Sequence, residues 1–427
     1  MDAAVTERAV DVLIVGGGPA GLAAAADLAR ARAGIVEVIE REPAAGGIPR
    51  HSDHIGYGMR DLHRVMSGPA YARRYATAAA TAGARLRTGV TVTGWAGPRA
   101  VHTTGPGGLE RITARAVLLA TGARERPRSA RLVPGDRPAG VYTTGRLQQE
   151  VHLRGLPIGE RAVVVGAEHV SYSAAVTLRH AGVEVRALLT DLPRQQSYAA
   201  FHYGLGIAFG IPVLTGHAVT EVIGRGRVSG VRVHRPDGSR AVIACDTVVF
   251  TGDWIPDHEL ARGGGLAIDA GTRGPSVTGA LATSEPGVFA AGNLVHPVET
   301  ADNVALAARH AARAILAHLA ARPAGRMGVP PAVDVPFADG VPVRVGGALR
   351  WAAPNRVHPA TRPPRDRFIV WAAAVAHRPR IEIRQGGRLL WTGRPHRTLT
   401  PGRPYYLPSH WLPEVKPHAD PVEITAT

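Results

Sequence analysis

Two groups of side chains in this 427-residue sequence could move protons near neutral pH. Arg50, His51, His54 and Tyr57 follow a Gly-Gly pair, and His296, Glu299 and Thr300 follow the turn Gly292-Asn293. Histidine is the side chain whose unperturbed pKa lies nearest neutrality, so His51, His54 and His296 are the candidate general acids or bases. Arg50 could hold a substrate carboxylate in a forked pair of hydrogen bonds, with Tyr57 and Glu299 as further substrate contacts. A hydrogen-bonded structural role stays open for each histidine. The spacing His51-x-x-His54 would also suit a metal, but no third or fourth ligand stands nearby and no metal is expected.

Such groups act only if rigid elements hold them around a reactive centre, and the clearest elements lie at the start of the chain. Asp11 to Val15 is a short apolar, β-branched run of the kind buried in a parallel sheet. Gly16-Gly17-Gly18-Pro19-Ala20-Gly21 follows at once, then an alanine-rich helix over Leu22 to Arg32. Strand, glycine turn and helix in this order form a dinucleotide fingerprint. Gly16 permits the tight turn, Gly18 lets the backbone approach a pyrophosphate, and Gly21 lets helix and strand pack closely. The helix N-terminus, reached through Pro19 and Ala20 of the turn, offers unpaired N–H groups and a partial positive charge to phosphates. A second strand, Ile35 to Ile39, ends at Glu40, where a carboxylate can accept both ribose hydroxyls, with Arg41 beside it. These features admit either NAD or FAD.

Three later segments bear on that choice: Gly46-Gly47-Ile48, the strand end Leu118-Leu119-Ala120-Thr121-Gly122, and the strand Gly287 to Ala291 running into Gly292-Asn293, followed by a helix from Ala301 to Leu319. With them, residues 8 to 325 resemble the two-dinucleotide-domain flavoproteins, the thioredoxin and glutathione reductase superfamily. The segments Gly46 to His51 and Gly292 to Asp302 look most like the FAD subunits grouped with opine oxidase, hydroxyproline dehydrogenase and hydrogen cyanide synthase. The resemblance implies FAD as cofactor, with Gly47, Ile48, Ala120, Thr121, Gly122, Gly292, Asn293 and Thr300 joining the first loop around it. Members of the superfamily usually end the late turn in Gly-Asp, whose carboxylate binds a ribityl hydroxyl. Asn293 would replace that charged contact with an amide. The helix from Thr300 would aim its N-terminus at the flavin, favouring the reduced ring.

A second strand and turn, residues 162 to 165 followed by Gly166-Ala167-Glu168-His169-Val170-Ser171, occupies the place of a second fingerprint but keeps only its first glycine. Glu168 stands where the backbone should approach a pyrophosphate, and two like charges about 5 Å apart cost about 3 kcal/mol at an effective dielectric near 20. The strand Val183 to Leu189 ends without the acid that reads NAD or the arginine that reads NADP; Asp191, Arg186 and Arg194 lie close by. NAD(P) binding is therefore doubtful. No cysteine pair follows the first Gly-Gly or lies in the second fold, so a redox disulfide is not expected. The single cysteine, Cys245, reads as a small buried hydrophobe.

The formal charge of +16 could signal an anionic partner, but all but one of the 50 Lys and Arg residues are arginines, scattered without a run. A solvated surface is the simpler reading, and no nucleic-acid partner is expected. The lone lysine, Lys416, removes Schiff-base chemistry from the nucleotide-binding part. No membrane span or secretion signal is apparent, and a cytoplasmic location follows as the expectation. Beyond Arg322, Pro and Gly cluster and short β-like runs appear, with Ile381 to Arg384 and Leu389 to Trp391 flanking Gln385-Gly386-Gly387-Arg388 as a hairpin.

The expected fold is α/β: two Rossmann-like three-layer domains, the FAD domain discontinuous and the NAD(P)-like domain inserted, plus a small C-terminal β domain. The expected boundaries are 1–147 and 276–325 for the FAD domain, 148–275 for the insert and 326–427 for the β-rich end. By resemblance, FAD would accept a hydride from a small amine, amino acid or imino acid. Electrons would leave to oxygen, a ferredoxin-like subunit or a second flavoprotein, within an oligomer or heteromeric complex. The alternatives are an NAD(P)H-dependent flavoprotein reductase and a flavin-bearing scaffold subunit of a multi-subunit dehydrogenase.

Overall fold

The computed structural model describes residues 5–199, 202–204, 210–321 and 335–427. The expected boundary at 325/326 lies outside the described residues. The chain divides into two compact units: Met1–Arg50 with Gly56–Ala123 and Pro256–Thr427, and His51–Ile55 with Arg124–Ile255.

The first unit is built on a seven-stranded sheet. Its parallel part runs Arg85–Thr88, Val36–Glu40, Thr6–Val15, Gly108–Leu119, with Val288–Ala290 paired parallel to the last of these. Ala100–Gly105 and Thr91–Gly97 extend it as an antiparallel meander. The apolar runs are buried on both faces, as parallel sheets require: Val12, Leu13 and Ile14 have no exposed surface. Helix Pro19–Arg30 packs against helix Ala301–Ala320, and both are rich in buried alanines, Ala23 to Ala26 in one and Ala305, Ala308, Ala311 and Ala312 in the other. Alanine favours helix and lets the two axes approach closely, which ties the first and last segments of the nucleotide fold together.

One charge lies inside this sheet. Glu37 is fully buried and takes both guanidinium nitrogens of Arg8, at 2.9 and 2.7 Å, and one of Arg87 at 3.3 Å. Arg87 also reaches Glu110. The cluster crosses four neighbouring strands, and a buried carboxylate is tolerable only when paired in this way.

The same unit carries the C-terminal β structure. A five-stranded sheet runs Arg356–Val357, Val341–Gly347, Val422–Ala426, Ile381–Gln385, Arg388–Gly393, and a three-stranded sheet runs Leu349–Ala353, Arg367–Ala372, Tyr405–Pro408. Phe368, Val370, Ile381, Ile383, Trp411 and Ile424 fill the space they enclose. The expected hairpin is present, with Gln385 opposite Arg388 and both turn glycines at positive φ, the requirement of a two-residue turn.

The second unit has a parallel sheet in the order Val141–Thr143, Thr247–Phe250, Arg161–Val165, Glu184–Thr190, Val213–Thr215, and an antiparallel sheet of Ala218–Ile223, Gly230–His234 and Arg240–Ala244. Helix His169–His180 follows its central strand. The fold is thus the expected mixed α/β arrangement with a C-terminal β part. Among the described residues no helix is long and apolar enough to cross a membrane.

Candidate functional site

The first glycine loop has the geometry of a phosphate cradle. Gly16 sits at φ 111°, and a Cβ there would lie 2.4 Å from the Ala120 carbonyl oxygen. Gly18 caps helix Pro19–Arg30 with extended backbone and no side-chain bond to the helix. The first intrahelical bond runs from Leu22 N–H to the Gly18 carbonyl, so the N–H groups of Ala20 and Gly21 precede the ladder, and Pro19 has none to offer. Gly47 faces this terminus: a Cβ on Gly18 would find only the Gly47 Cα, at 3.9 Å, while Gly46 N–H bonds the Gly17 carbonyl at 2.7 Å. Backbone therefore meets backbone here with no side chain between.

Glu40 closes the far side. Its Oε2 accepts from Gly17 N–H and its Oε1 from Glu42 N–H, both at 2.8 Å. Each oxygen keeps a lone pair for a sugar hydroxyl. Arg41 is exposed and pairs with Asp257 at 3.5 Å. Thr121 donates its hydroxyl to the Asp257 carbonyl at 2.8 Å, and Asp257 N–H returns to the Gly122 carbonyl at 2.9 Å, so the Ala120-Thr121-Gly122 turn is braced against residue 257. Gly292, at φ 75°, rests on the start of the first helix: its Cβ would lie 3.0 Å from that of Ala20. Gly16 to Gly21, Glu40, Gly47, Ala120 and Gly292 therefore converge from distant parts of the chain, and Ile48, exposed, opens the short helical turn after Gly47. An uncapped helix terminus, an open Gly18–Gly47 approach and a hydroxyl-accepting carboxylate fit a dinucleotide such as FAD.

Two members of the expected set are engaged elsewhere. Asn293 donates its amide to the Glu299 carbonyl at 3.2 Å and accepts from Glu299 N–H at 2.9 Å, so both ends of its side chain shape the loop leading to the last helix. Thr300 is the cap residue of helix Ala301–Ala320, but its hydroxyl donates to Asp302 Oδ1. Asp302 also accepts from Asn303 N–H at 3.0 Å and from Arg60 at 3.2 Å. A carboxylate thus already sits at the positive end of the helix expected to favour reduced flavin, an opposing charge.

The proton-moving candidates fall in different places. His51 and His54 belong to the second unit, where His54 Nε2 lies 3.1 Å from Ser52 Oγ and its Nδ1 lies 2.8 Å from the Ile55 carbonyl; burial lowers its pKa. Arg50 and Tyr57 belong to the first unit. Arg50 donates to the Ala44 carbonyl at 2.7 Å, and Tyr57 packs against Tyr71 with ring centres 5.6 Å apart. His296 is buried and stacked on Trp351 at 5.6 Å, itself stacked on Trp371. Burial pushes the His296 pKa down to about 4, opposed only by the Pro297 backbone, so at neutral pH it is the uncharged imidazole. Glu299 shifts the other way: burial lifts it to about 7 against the pull of Tyr406, Asn303 and Arg365.

Glu299 and His296 border a cavity of about 50 Å³ together with Asn303, Arg365, Arg367 and Tyr406. Tyr406 donates to Glu299 Oε1 at 2.7 Å and accepts from Asn303 Nδ2 at 3.1 Å, while Arg365 donates to Asn303 Oδ1. Arg365, Arg367 and Tyr406 come from a segment to which sequence reasoning assigns no role, and no local motif marks them.

A family model described as pyridine nucleotide-disulphide oxidoreductase matches residues 10–314. The chain belongs to that family. It is an oxidoreductase and a flavoprotein by membership, with a dinucleotide-binding fold. It is 31% identical over 243 residues to the alpha subunit of a sarcosine oxidase from Corynebacterium sp. (strain P-1), covering 52% of this chain and 23% of that relative. It is 26% identical over 289 residues to an opine oxidase subunit of Agrobacterium tumefaciens (strain Ach5), covering 60% of this chain and 55% of the relative. The chain thus spans about a quarter of the first and about half of the second. Among solved structures, T. acidophilum thioredoxin reductase superposes with a TM-score of 0.61 at 23% identity, covering 72% of this chain and 98% of that one.

In the second unit, the turn that matches the first glycine loop carries Glu168 where the first carries Gly18. Glu168 caps helix His169–His180 with φ −87° and ψ −179°, close to the −81° and −174° of Gly18. Its carboxylate folds back: Oε2 accepts from Ala167 N–H at 3.1 Å and Oε1 from the Thr251 hydroxyl at 2.6 Å. At the start of the next strand, Glu184–Thr190, Arg186 pairs with Glu184 at 2.8 Å. Cys245 is buried, which raises its thiol pKa to about 11 and holds it as the unreactive thiol.

Proposed function

We propose that the chain is an FAD-dependent oxidoreductase that removes a hydride from a small amine, amino acid or imino acid, as part of a heteromeric or oligomeric assembly. The observation that carries the reading is the cradle formed by the uncapped helix at Gly18, the facing Gly47 and the Glu40 carboxylate. Ala20 and Gly21 N–H would hold the pyrophosphate, and Glu40 the ribose. FAD, when bound, supplies the two-electron acceptor. Relatives named for the oxidation of sarcosine and opines support the substrate class, and with it a grouping beside opine oxidase, hydroxyproline dehydrogenase and hydrogen cyanide synthase.

The residues of the chain supply binding and proton handling. Glu299, poised near neutrality, can take a proton from a substrate ammonium, and neutral His296 can accept a hydrogen bond without competing for positive charge. With Glu168 filling the second nucleotide slot, NAD(P)H is not the electron donor or acceptor, and electrons leave to oxygen, a ferredoxin-like subunit or a second flavoprotein. The buried thiol at Cys245 suits work in a reducing cytoplasm.

The test is anaerobic reduction of the FAD-loaded protein with a panel of amines, amino acids and imino acids, beside NADH and NADPH. Bleaching of the flavin band by members of the panel is expected. Rapid bleaching by a nicotinamide and by no amine would overturn the reading in favour of an NAD(P)H-dependent reductase. That the relatives are named as subunits favours a second reading, a flavin-bearing scaffold whose chemistry lies in a partner chain. Co-purification with a second dehydrogenase and no turnover by this chain alone would select it.

A further inference from the structure

We propose that the cavity between the loop Gly292 to Glu299 and the C-terminal β sheets is a binding site for a small amino or N-alkylamino acid, gripped by both of its charges. One wall carries His296, Glu299 and Asn303; the other carries Arg365, Arg367 and Tyr406. Val295, Val304 and Ile369 give an apolar surface between them.

Size restricts the ligand first. A cavity of about 50 Å³ accommodates roughly four water positions, or a molecule on the order of five or six non-hydrogen atoms. That suits a molecule of the size of glycine, alanine or N-methylglycine.

Charge restricts it further. Arg365 and Arg367 stand on one side, and Arg367, stacked 6.0 Å from the Tyr406 ring centre, makes no ion pair among the described residues. Glu299 stands on the other, oriented by the Tyr406 hydroxyl at 2.7 Å. A plain carboxylate would meet the guanidiniums but also Glu299, and a plain amine would meet Glu299 but also two guanidiniums. A zwitterion places its carboxylate on the arginines and its ammonium on Glu299, leaving no like charges opposed.

An independent observation points to an occupant. His296 is 9% exposed and borders the cavity, and its Nδ1 makes no well-directed hydrogen bond among the described residues, with only the Pro297 backbone acting on the ring. A buried polar atom left unsatisfied is costly, and a ligand N–H or oxygen would satisfy it. The C-terminal β structure thereby completes a site that the nucleotide fold alone leaves open on one side.

The site stands on its own geometry; that its ligand is the molecule oxidised rests on the proposed function. The stacking of His296 on Trp351 supplies a readout that needs no flavin chemistry. The full chain, loaded with FAD, is titrated with N-methylglycine, L-alanine, acetate and methylammonium, following tryptophan fluorescence and heat by calorimetry. The two zwitterions are expected to bind saturably, and acetate and methylammonium about tenfold more weakly or not at all. Arg367→Met, at an exposed position, and Glu299→Gln should each weaken zwitterion binding about tenfold or more, and the unfolding midpoint of Arg367→Met should match the parent. Absence of saturable binding in both measurements, or binding left within about threefold by both substitutions, would overturn the site. Binding without anaerobic flavin reduction upholds the site and sinks the oxidation reading. Flavin reduction indifferent to both substitutions does the reverse.

Discussion

Replacing Glu40 with glutamine separates the cofactor role of this side chain from its structural one. In the parent, the carboxylate accepts two backbone N–H bonds at 2.8 Å, from Gly17 and from Glu42. Glutamine has one acceptor oxygen, so one of those N–H groups would face an NH₂ donor. Losing one hydrogen bond to a charged acceptor costs about 1.5–3 kcal/mol, and the apo protein should lose that much stability. If the same carboxylate also takes ribose hydroxyls, FAD binding loses a further contribution of similar size, which corresponds to a dissociation constant raised about 10- to 150-fold. Thermal unfolding of the apo form measures the first effect, and quenching of flavin fluorescence on titrating apo protein with FAD measures the second. Glu40→Asp, which keeps the charge but shortens the reach, should fall between. A Glu40→Gln protein destabilised as expected but binding FAD within about threefold of the parent would refute the cofactor role and leave Glu40 as a loop brace.

Gly21→Ala places a Cβ 2.0 Å from the Gly16 carbonyl oxygen, a backbone atom that cannot rotate away, and should cost at least the 1–3 kcal/mol typical of overpacking; an unchanged urea midpoint would contradict the tight helix–strand approach. Glu37→Gln leaves Arg8 and Arg87 around an uncharged group inside the sheet and should destabilise by about 3–5 kcal/mol in denaturant unfolding, with a paired Arg8→Met, Glu37→Leu protein recovering part of the loss. Glu299 has its folded-state pKa raised from 4.5 to about 7, so protonation favours the folded state: its contribution is most favourable below about pH 4.5 and is lost as pH rises toward 7. Unfolding midpoints followed across that range should therefore fall more steeply with pH in the parent than in Glu299→Gln, and parallel profiles would contradict the shift. Glu168→Gly empties the second slot; weak NADH binding, absent in the parent, is expected by calorimetry, and no gain would mean that more than this carboxylate closes the fold to nucleotide.

How much of the fold and of the site is legible in the sequence follows from how local each feature is. The loop from Gly16 to Gly21 is legible because each glycine answers a steric demand set within a few residues, and the Gly386-Gly387 hairpin for the same reason. Glu40 is legible through its spacing from that loop. Asn293 is not: the amide that would have faced a ribityl hydroxyl closes instead on the backbone of Glu299, six residues on, a choice set by the path of the intervening loop. The neutral state of His296 is equally hidden, because it comes from burial against Trp351 and Trp371, which the C-terminal strands bring in. The wall of Arg365, Arg367 and Tyr406 is assembled with Glu299 from far along the chain, Tyr406 lying 107 residues beyond it, and nothing in the local composition of either segment announces the other.

The two glycine loops make the division between fold and ligand explicit. Gly16 and Gly166 both sit at positive φ, and their N–H groups both bond the end of the neighbouring strand, at Ile39 and Leu189, within 2.8 and 2.7 Å. Each is followed by a twelve-residue helix whose cap residue has almost the same backbone angles. A Cβ at Gly166 would lie 2.0 Å from the Thr251 hydroxyl, as one at Gly16 would press on the Ala120 carbonyl, so the first glycine is demanded by the strand-to-helix turn whether or not a nucleotide binds. The third position carries no such demand. With glycine there, the helix terminus stays open to a phosphate; with Glu168, the carboxylate of the chain itself takes the neighbouring N–H and hydroxyl donors. The turn therefore persists without glycine at its third position, where Glu168 engages donors of the chain itself.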